Sequence, residues 1–232
     1  MRKVAILVAM YKASRFVDAK IENLKRQTIL GDCNIVFLNC QNLENERNQY
    51  RSFLGGNITE IVYSDHTGLY QTWNDGIKAT ESEYVVNANV DDMWHPEYLE
   101  RLTTILDENQ DHSVAYSHVK STSQPNQFDQ KEWNYKGGLS IKPFPQGTMG
   151  PCPVWRRSLH DKYGMFADTQ VIGDALMWQK WRRGGEKFYQ VQEPLVLYFN
   201  NPNSLERRCC PDSKLPLREV DLRNVGAHHV NT

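Results

Sequence analysis

Along the first hundred residues the apolar positions switch between two periods. Val4–Ala9 is an unbroken apolar run, the pattern of a strand covered on both faces. From Ser14 to Gln27, Phe16, Val17, Ile21 and Leu24 recur on one helical face. Asn34–Leu38 predicts a second strand. The polar stretch Gln41 to Phe53 is anchored by Leu43, Tyr50, Phe53 and Leu54. Ile58–Tyr63 predicts a third strand. Thr67 to Thr80 predicts a helix, with Thr67 placed to cap it and Leu69, Tyr70, Trp73 and Ile77 facing inward. Tyr84–Ala88 predicts a fourth strand, and Pro96 to Leu106 a helix with proline in its first turn.

Strands and helices alternating at this spacing predict an α/β fold. A mostly parallel central sheet is joined by right-handed crossovers and flanked by helices. Ligands of such sheets bind beyond the carboxyl ends of the strands. That marks Ala9–Lys12, Asn39–Gln41, Ser64–His66 and Asn89–Trp94 before any motif is considered.

The second half loses this regularity. Val114–Val119 predicts a strand. Lys120 to Gln146 is polar and aperiodic, the mark of a functional or mobile loop. Met149 to Trp155 carries Gly150, Pro151 and Pro153 and leads into a short helix, Arg157–Tyr163. Asp174 to Arg183 predicts a helix closed by Gly184 and Gly185. Lys187–Val191 and Leu195–Phe199 predict two strands. With no repeat and no linker, the chain divides as one domain over residues 1–205 and a tail over 206–232. Within the domain, 1–110 and 111–205 form two halves.

Composition narrows the partners. The 232 residues carry 27 basic and 28 acidic side chains, so no global field draws the chain to nucleic acid or an anionic membrane. No stretch approaches the ~20 apolar residues needed to span a bilayer. The N-terminal apolar run, Val4 to Met10, reads as a buried strand rather than a signal peptide. The five cysteines show no zinc spacing, and Cys209 and Cys210 are adjacent, so reduced thiols in the cytoplasm are expected.

Two acidic positions carry the chemistry. Asp91 and Asp92 follow the fourth strand, in Asn89-Val90-Asp91-Asp92. Hard ions such as Mg²⁺ or Mn²⁺ are held by one or two carboxylates together with phosphates and water, which suits a nucleoside diphosphate sugar. Either aspartate could instead cap the helix near Pro96. Asp174 opens its helix and suits a general base, with helix capping as the alternative.

Four segments, taken in order, resemble the family 2 glycosyltransferases of the GT-A fold. Val4–Thr28 resembles the opening strand, a Tyr-containing turn and a helix ending in Gln-Thr. Gly68–Asp92 resembles a helix with an Asn-x-Gly-Ile pattern and a strand ending in the acidic motif. Pro153–Phe166 resembles an acceptor-side segment, and Gly173–Gly184 the segment with the catalytic aspartate. The resemblance covers roughly residues 4–205.

It implies a metal-dependent transfer from a nucleotide diphosphate sugar, UDP- or GDP-linked, to an acceptor hydroxyl with inversion. Ala9 and Tyr11 would line the base pocket. Asn39 and Gln41 would read the base edge, Asn74 would face the nucleotide, and Asn89 would touch the ribose. Asp91 would bind Mn²⁺ or Mg²⁺, Asp92 would support the site or touch the sugar, and Asp174 would be the base. Trp94, Trp155 and Arg156, beside the crevice segments, are candidates for acceptor binding, whereas Trp73, Trp178 and Trp181 are at core spacing.

The sequence departs from the family at four places. Asn39 stands where an acid is usual, Asn89 opens the acidic motif, and Gly173 precedes the base. Asn200 and Asn201 stand where relatives carry Arg or His, a charge that Arg207, Arg208, His228 or His229 could restore. The acceptor is open: a glycan, a lipid-linked glycan, a protein or a nucleic acid. Nucleotidyl transfer is disfavoured, because Ala9-Met10-Tyr11-Lys12 lacks glycine. A domain that binds a nucleotide sugar or glycan without turnover is the other reading.

Overall fold

The computed structural model describes residues 2–41, 43–51, 58–123, 140–142 and 149–204, the backbone alone at 140–142. The first half alternates as its pattern requires: β1 (Val4–Met10), α1 (Ser14–Lys25), β2 (Cys33–Asn39), α2 (Glu44–Arg51), β3 (Ile58–Val62), α3 (Leu69–Lys78) and β4 (Tyr84–Asn87). A short β5 (Met93–Trp94) and α4 (Tyr98–Glu108) follow. The second half adds β6 (His112–Thr122), β7 (Ser140–Lys142), β8 (Val154–Arg156), α5 (Leu159–Tyr163), α6 (Gly173–Arg183) and β9 (Lys187–Phe199).

One sheet runs in the order β3-β2-β1-β4-β8-β6-β9-β5, with β7 beside β6. Strands β3, β2, β1 and β4 are parallel. β8 enters antiparallel between β4 and β6, β6 and β9 are parallel, and β5 pairs antiparallel with β9.

Both faces of the sheet are covered, which is why β1 is apolar at every position. Val4, Ile6, Val8 and Met10 join one core with Val17, Ile21 and Leu24 of α1 and Leu99, Leu102 and Leu106 of α4. Ala5 and Leu7 face the other core, with Trp73 and Ile77 of α3 and Trp178 and Trp181 of α6. Trp73, Trp178 and Trp181 are buried, as their spacing predicts.

Four strands differ from expectation: β5 and β7, neither of which was predicted, and β8 and β9. Val154–Arg156, expected as a turn-rich lead-in, is a strand, because its backbone bridges β4 and β6. The two strands expected around Glu193 and Pro194 are one, β9. Proline lacks an amide for the ladder, and the pairing with β6 shifts register opposite it, between Ser117 and Val119, so the strand continues past it. Most of the aperiodic 120–146 segment, the anchors Phe53 and Leu54, and Arg207, Arg208, Cys209, Cys210, His228 and His229 lie outside the described residues.

Candidate functional site

The carboxyl ends of β1, β2, β3 and β4 open on one edge of the sheet, and the acidic turn 89–92 leaves β4 there. Asp92 is buried at 1% exposure. Its Oδ2 accepts from Asn89 Nδ2 at 2.9 Å and its Oδ1 from the Phe199 amide at 3.1 Å. Its backbone carbonyl accepts from Nζ of the buried Lys20 at 2.5 Å. Burial first, and the neighbouring Asp91 second, raise the Asp92 pKa, against the opposing pull of Asn89 and Lys20. Asp91 is half-buried and accepts from Asn201 Nδ2 at 3.1 Å.

Neither aspartate caps α4, whose N-cap residue is Glu97 and which has no side-chain cap. The turn is instead held by residues about 110 positions on, at the end of β9. Among the described residues no three His, Cys, Asp or Glu side chains form a metal cluster. The acidic turn offers one half-buried carboxylate, Asp91, with the Asn201 amide nitrogen against its Oδ2. That fits a hard divalent ion taking its remaining ligands from phosphate and water.

The second carboxylate stands at the start of α6. Ile172 precedes that helix in a left-handed conformation (φ 62°), strained for a β-branched residue. Asp174 lies one residue inside the helix and is not its cap. Its Oδ1 accepts from Tyr70 Oη at 3.0 Å and from the Ala175 amide at 2.8 Å. Burial raises its pKa above the usual carboxylate range, while these hydrogen bonds pull the other way. Tyr70 belongs to the first turn of α3, which follows β3, so Asp174 is held at the same sheet edge as Asp91.

The rest of that edge is aromatic and polar. Tyr11 meets His66 edge-on with ring centroids 4.2 Å apart. Lys12 follows with φ 52°, and Ala9 is half-buried at the end of β1. Gln41 is exposed in the turn after β2.

Five expected site residues have their polar groups or rings engaged within the fold. Asn39 is fully buried, and its amide donates to the Leu43 carbonyl and accepts from the Leu43 amide, so it holds the turn after β2. Asn74 spends its amide on both backbone groups of Phe166, at 2.9 Å each, and faces a loop instead of a nucleotide. Trp94 and Trp155 are 0% exposed and offer no ring face to an acceptor. Trp94 packs on Tyr98, and Trp155 donates to His160. Arg156 pairs with Tyr84, at the start of β4 and so away from the crevice. Its guanidinium donates to the Leu106 and His112 carbonyls. Asp92, being buried, serves as a support for the turn.

Lys20 joins the site without having been expected there, and Asn201 stands at a position that the family resemblance had marked. Lys20 was visible as the one cation on the apolar stripe of α1, beside Phe16, Val17, Ile21 and Leu24. The pairing of Asn201 with Asp91 spans 110 positions and leaves no local signal.

A doubly covered sheet with four parallel strands and an acidic turn after the fourth is the arrangement of a GT-A domain. Residues 5–164, more than half of the chain, match the profile of Glycosyl transferase family 2, and the chain belongs to that family. It is 25% identical over 215 residues to EpsJ of Bacillus subtilis (strain 168), described as an uncharacterized glycosyltransferase, and covers 87% of this chain and 62% of EpsJ. TarS 1–349 of S. aureus, in complex with UDP-GlcNAc, shares the fold at TM-score 0.69 and 15% identity, over 87% of this chain and 60% of that one. The mannosyltransferase PcManGT of Pyrobaculum calidifontis, in complex with GDP-Man and Mn²⁺, does so at TM-score 0.67 and 13% identity, over 93% and 66%. The chain thus spans under two-thirds of EpsJ and TarS 1–349. No helix among the described residues is long and apolar enough to cross a membrane.

Proposed function

We propose that the protein is an inverting glycosyltransferase that moves a sugar from a nucleoside diphosphate donor to an acceptor hydroxyl. The observation that carries this reading is two carboxylates, Asp91 and Asp174, fixed at the carboxyl edge of the parallel strands by partners distant in sequence. Family membership and the donor complexes of TarS and PcManGT support the substrate class, a UDP- or GDP-sugar.

Asp174 takes the proton of the acceptor hydroxyl. The acceptor oxygen bonds to the anomeric carbon as the bond from that carbon to the diphosphate oxygen breaks on the opposite face. The nucleoside diphosphate leaves with the electron pair. Asp91 would hold Mn²⁺ or Mg²⁺, with Asn89 and Asn201 beside it, and such an ion neutralises diphosphate charge when bound. Tyr11 and Ala9 line the base pocket and Gln41 contributes an amide to the base edge. Residues 1–110 act as the donor half and 111–205 as the acceptor half of one domain. Buried free thiols at Cys33, Cys40 and Cys152 support a cytoplasmic setting.

Amides at Asn89 and Asn201 around the acidic turn favour a second reading, binding without turnover. Hydrolysis of UDP-GlcNAc or GDP-mannose that EDTA abolishes would sink that alternative. A thermal-shift screen of the two donors with and without Mn²⁺ identifies the nucleotide, since a ligand at 100 times its Kd stabilises by about 2.7 kcal/mol. Asp174→Asn is expected to abolish transfer and leave donor affinity nearly intact. Loss of donor binding in that variant would make Asp174 structural.

A further inference from the structure

Tyr70 is buried, and its hydroxyl is the only side-chain donor to Asp174 among the described residues. Its ring lies flat against the first residue of α6. A Cβ placed on Gly173 would come within 2.7 Å of Cδ2 of that ring. Only glycine at this position lets α3 and α6 approach closely enough for the 3.0 Å bond. The ring is braced on its other sides by Trp73, at 5.4 Å, and Phe166, at 6.0 Å. Both hydrogen bonds to the Asp174 carboxylate, from Tyr70 and from the Ala175 amide, fall on Oδ1.

We propose that Tyr70 is a positioning residue for Asp174: its hydroxyl pins Oδ1, stabilises the ionised carboxylate, and leaves Oδ2 to take the acceptor's proton. The assignment rests on the reading of Asp174 as the base. A tyrosine needed only for packing would be replaceable by phenylalanine without consequence for the carboxylate. A hydrogen-bond donor would not, because a bond made to the charged form lowers a carboxylate's pKa. Few other charges reach the pair. Asp168 lies near Gly68 at the first turn of α3. On α6, Lys180 is spent on the Tyr163 carbonyl, and Arg182 lies over the Phe188 ring.

The test reads the Asp174 carboxylate directly. Its ¹³C resonance, assigned by its loss in Asp174→Asn, is titrated in the full chain and in Tyr70→Phe. The midpoint is expected to rise by about one unit in Tyr70→Phe. Gly173→Ala, which pushes the ring away, should shift it in the same direction. A midpoint unchanged in both variants overturns the proposal and leaves Tyr70 as packing only. Hydrolysis of UDP-GlcNAc and GDP-mannose is followed beside it. A rate in Asp174→Asn equal to the wild-type rate would overturn the base assignment, while the titration still decides the Tyr70 bond. With both readings correct, Tyr70→Phe lowers kcat about tenfold below the shifted midpoint and leaves donor KM within twofold.

Discussion

At the scale of single residues, Asp174 is held where its charge is costly. Burial raises its pKa in the folded chain above the unfolded value, so its protonated form is the one that folding favours. The stability this gives is fully present below the unfolded pKa, near 4, and is lost as pH rises through the folded pKa. Asp174→Asn keeps the acceptor for Tyr70 and Ala175 but cannot ionise. It is expected to melt higher than wild type at pH 7, with the gap closing as pH falls below about 4, by calorimetry across pH. Donor turnover in the same variant should fall by roughly 10²–10⁴, the usual contribution of a general base. A variant that is more stable and less active is the signature of a carboxylate kept for chemistry.

Asp91 and Asp174 were legible because strand ends and helix starts can be read from local pattern. The amides were not. Asn39 and Asn74 look like ligand-facing groups in sequence, yet each is consumed by one backbone residue, Leu43 four positions on and Phe166 ninety-two positions on.

At the scale of elements, Asn74 joins α3 to the segment before α6. Its two bonds to Phe166 set the loop that carries the chain from α5 to the strained turn at Ile172. Asn74→Ala leaves a buried amide and carbonyl without partners, which costs about 2 kcal/mol in the urea midpoint. Because the side chain faces Phe166, Kd for UDP-GlcNAc or GDP-mannose should stay within twofold. A tenfold loss of donor affinity at unchanged stability would instead restore Asn74 to the nucleotide.

Elements themselves were largely legible, since β1 to α4 follow their apolar periods to within a few residues. The misses, β5, β7, β8 and the unbroken β9, are antiparallel or irregular partners. Their existence depends on which strand lies beside them, and no period within two to thirteen residues encodes that.

At the scale of the molecule, the acidic turn is where the two halves close. Lys20 comes from α1, Asp92 from the end of β4, the Phe199 amide from β9, and the Trp94 ring lies 4.6 Å from the Lys20 ammonium. Lys20 and Asp92 are both about 1% exposed, and Lys20 reaches the Asp92 backbone carbonyl; its charge offsets part of the burial of the Asp92 carboxylate, after the hydrogen bond from Asn89. Lys20→Met leaves the buried Asp92 carbonyl without its donor and is expected to lower unfolding free energy by about 1–3 kcal/mol. Asp92→Asn keeps the acceptor for the Phe199 amide and, with the Asn89 amide turned over, a donor to its oxygen, without the charge. The double variant should recover a large part of the Lys20→Met loss, giving a coupling energy within the ~0.5–3 kcal/mol seen for contacting residues. Urea denaturation of the four proteins at pH 7, with m-values checked for constancy, measures it. Additive losses would mean that Lys20 acts only through the Asp92 carbonyl and its own packing on Trp94. Strong coupling would mean that the charge pair itself ties the two halves of the domain at the turn that carries Asp91.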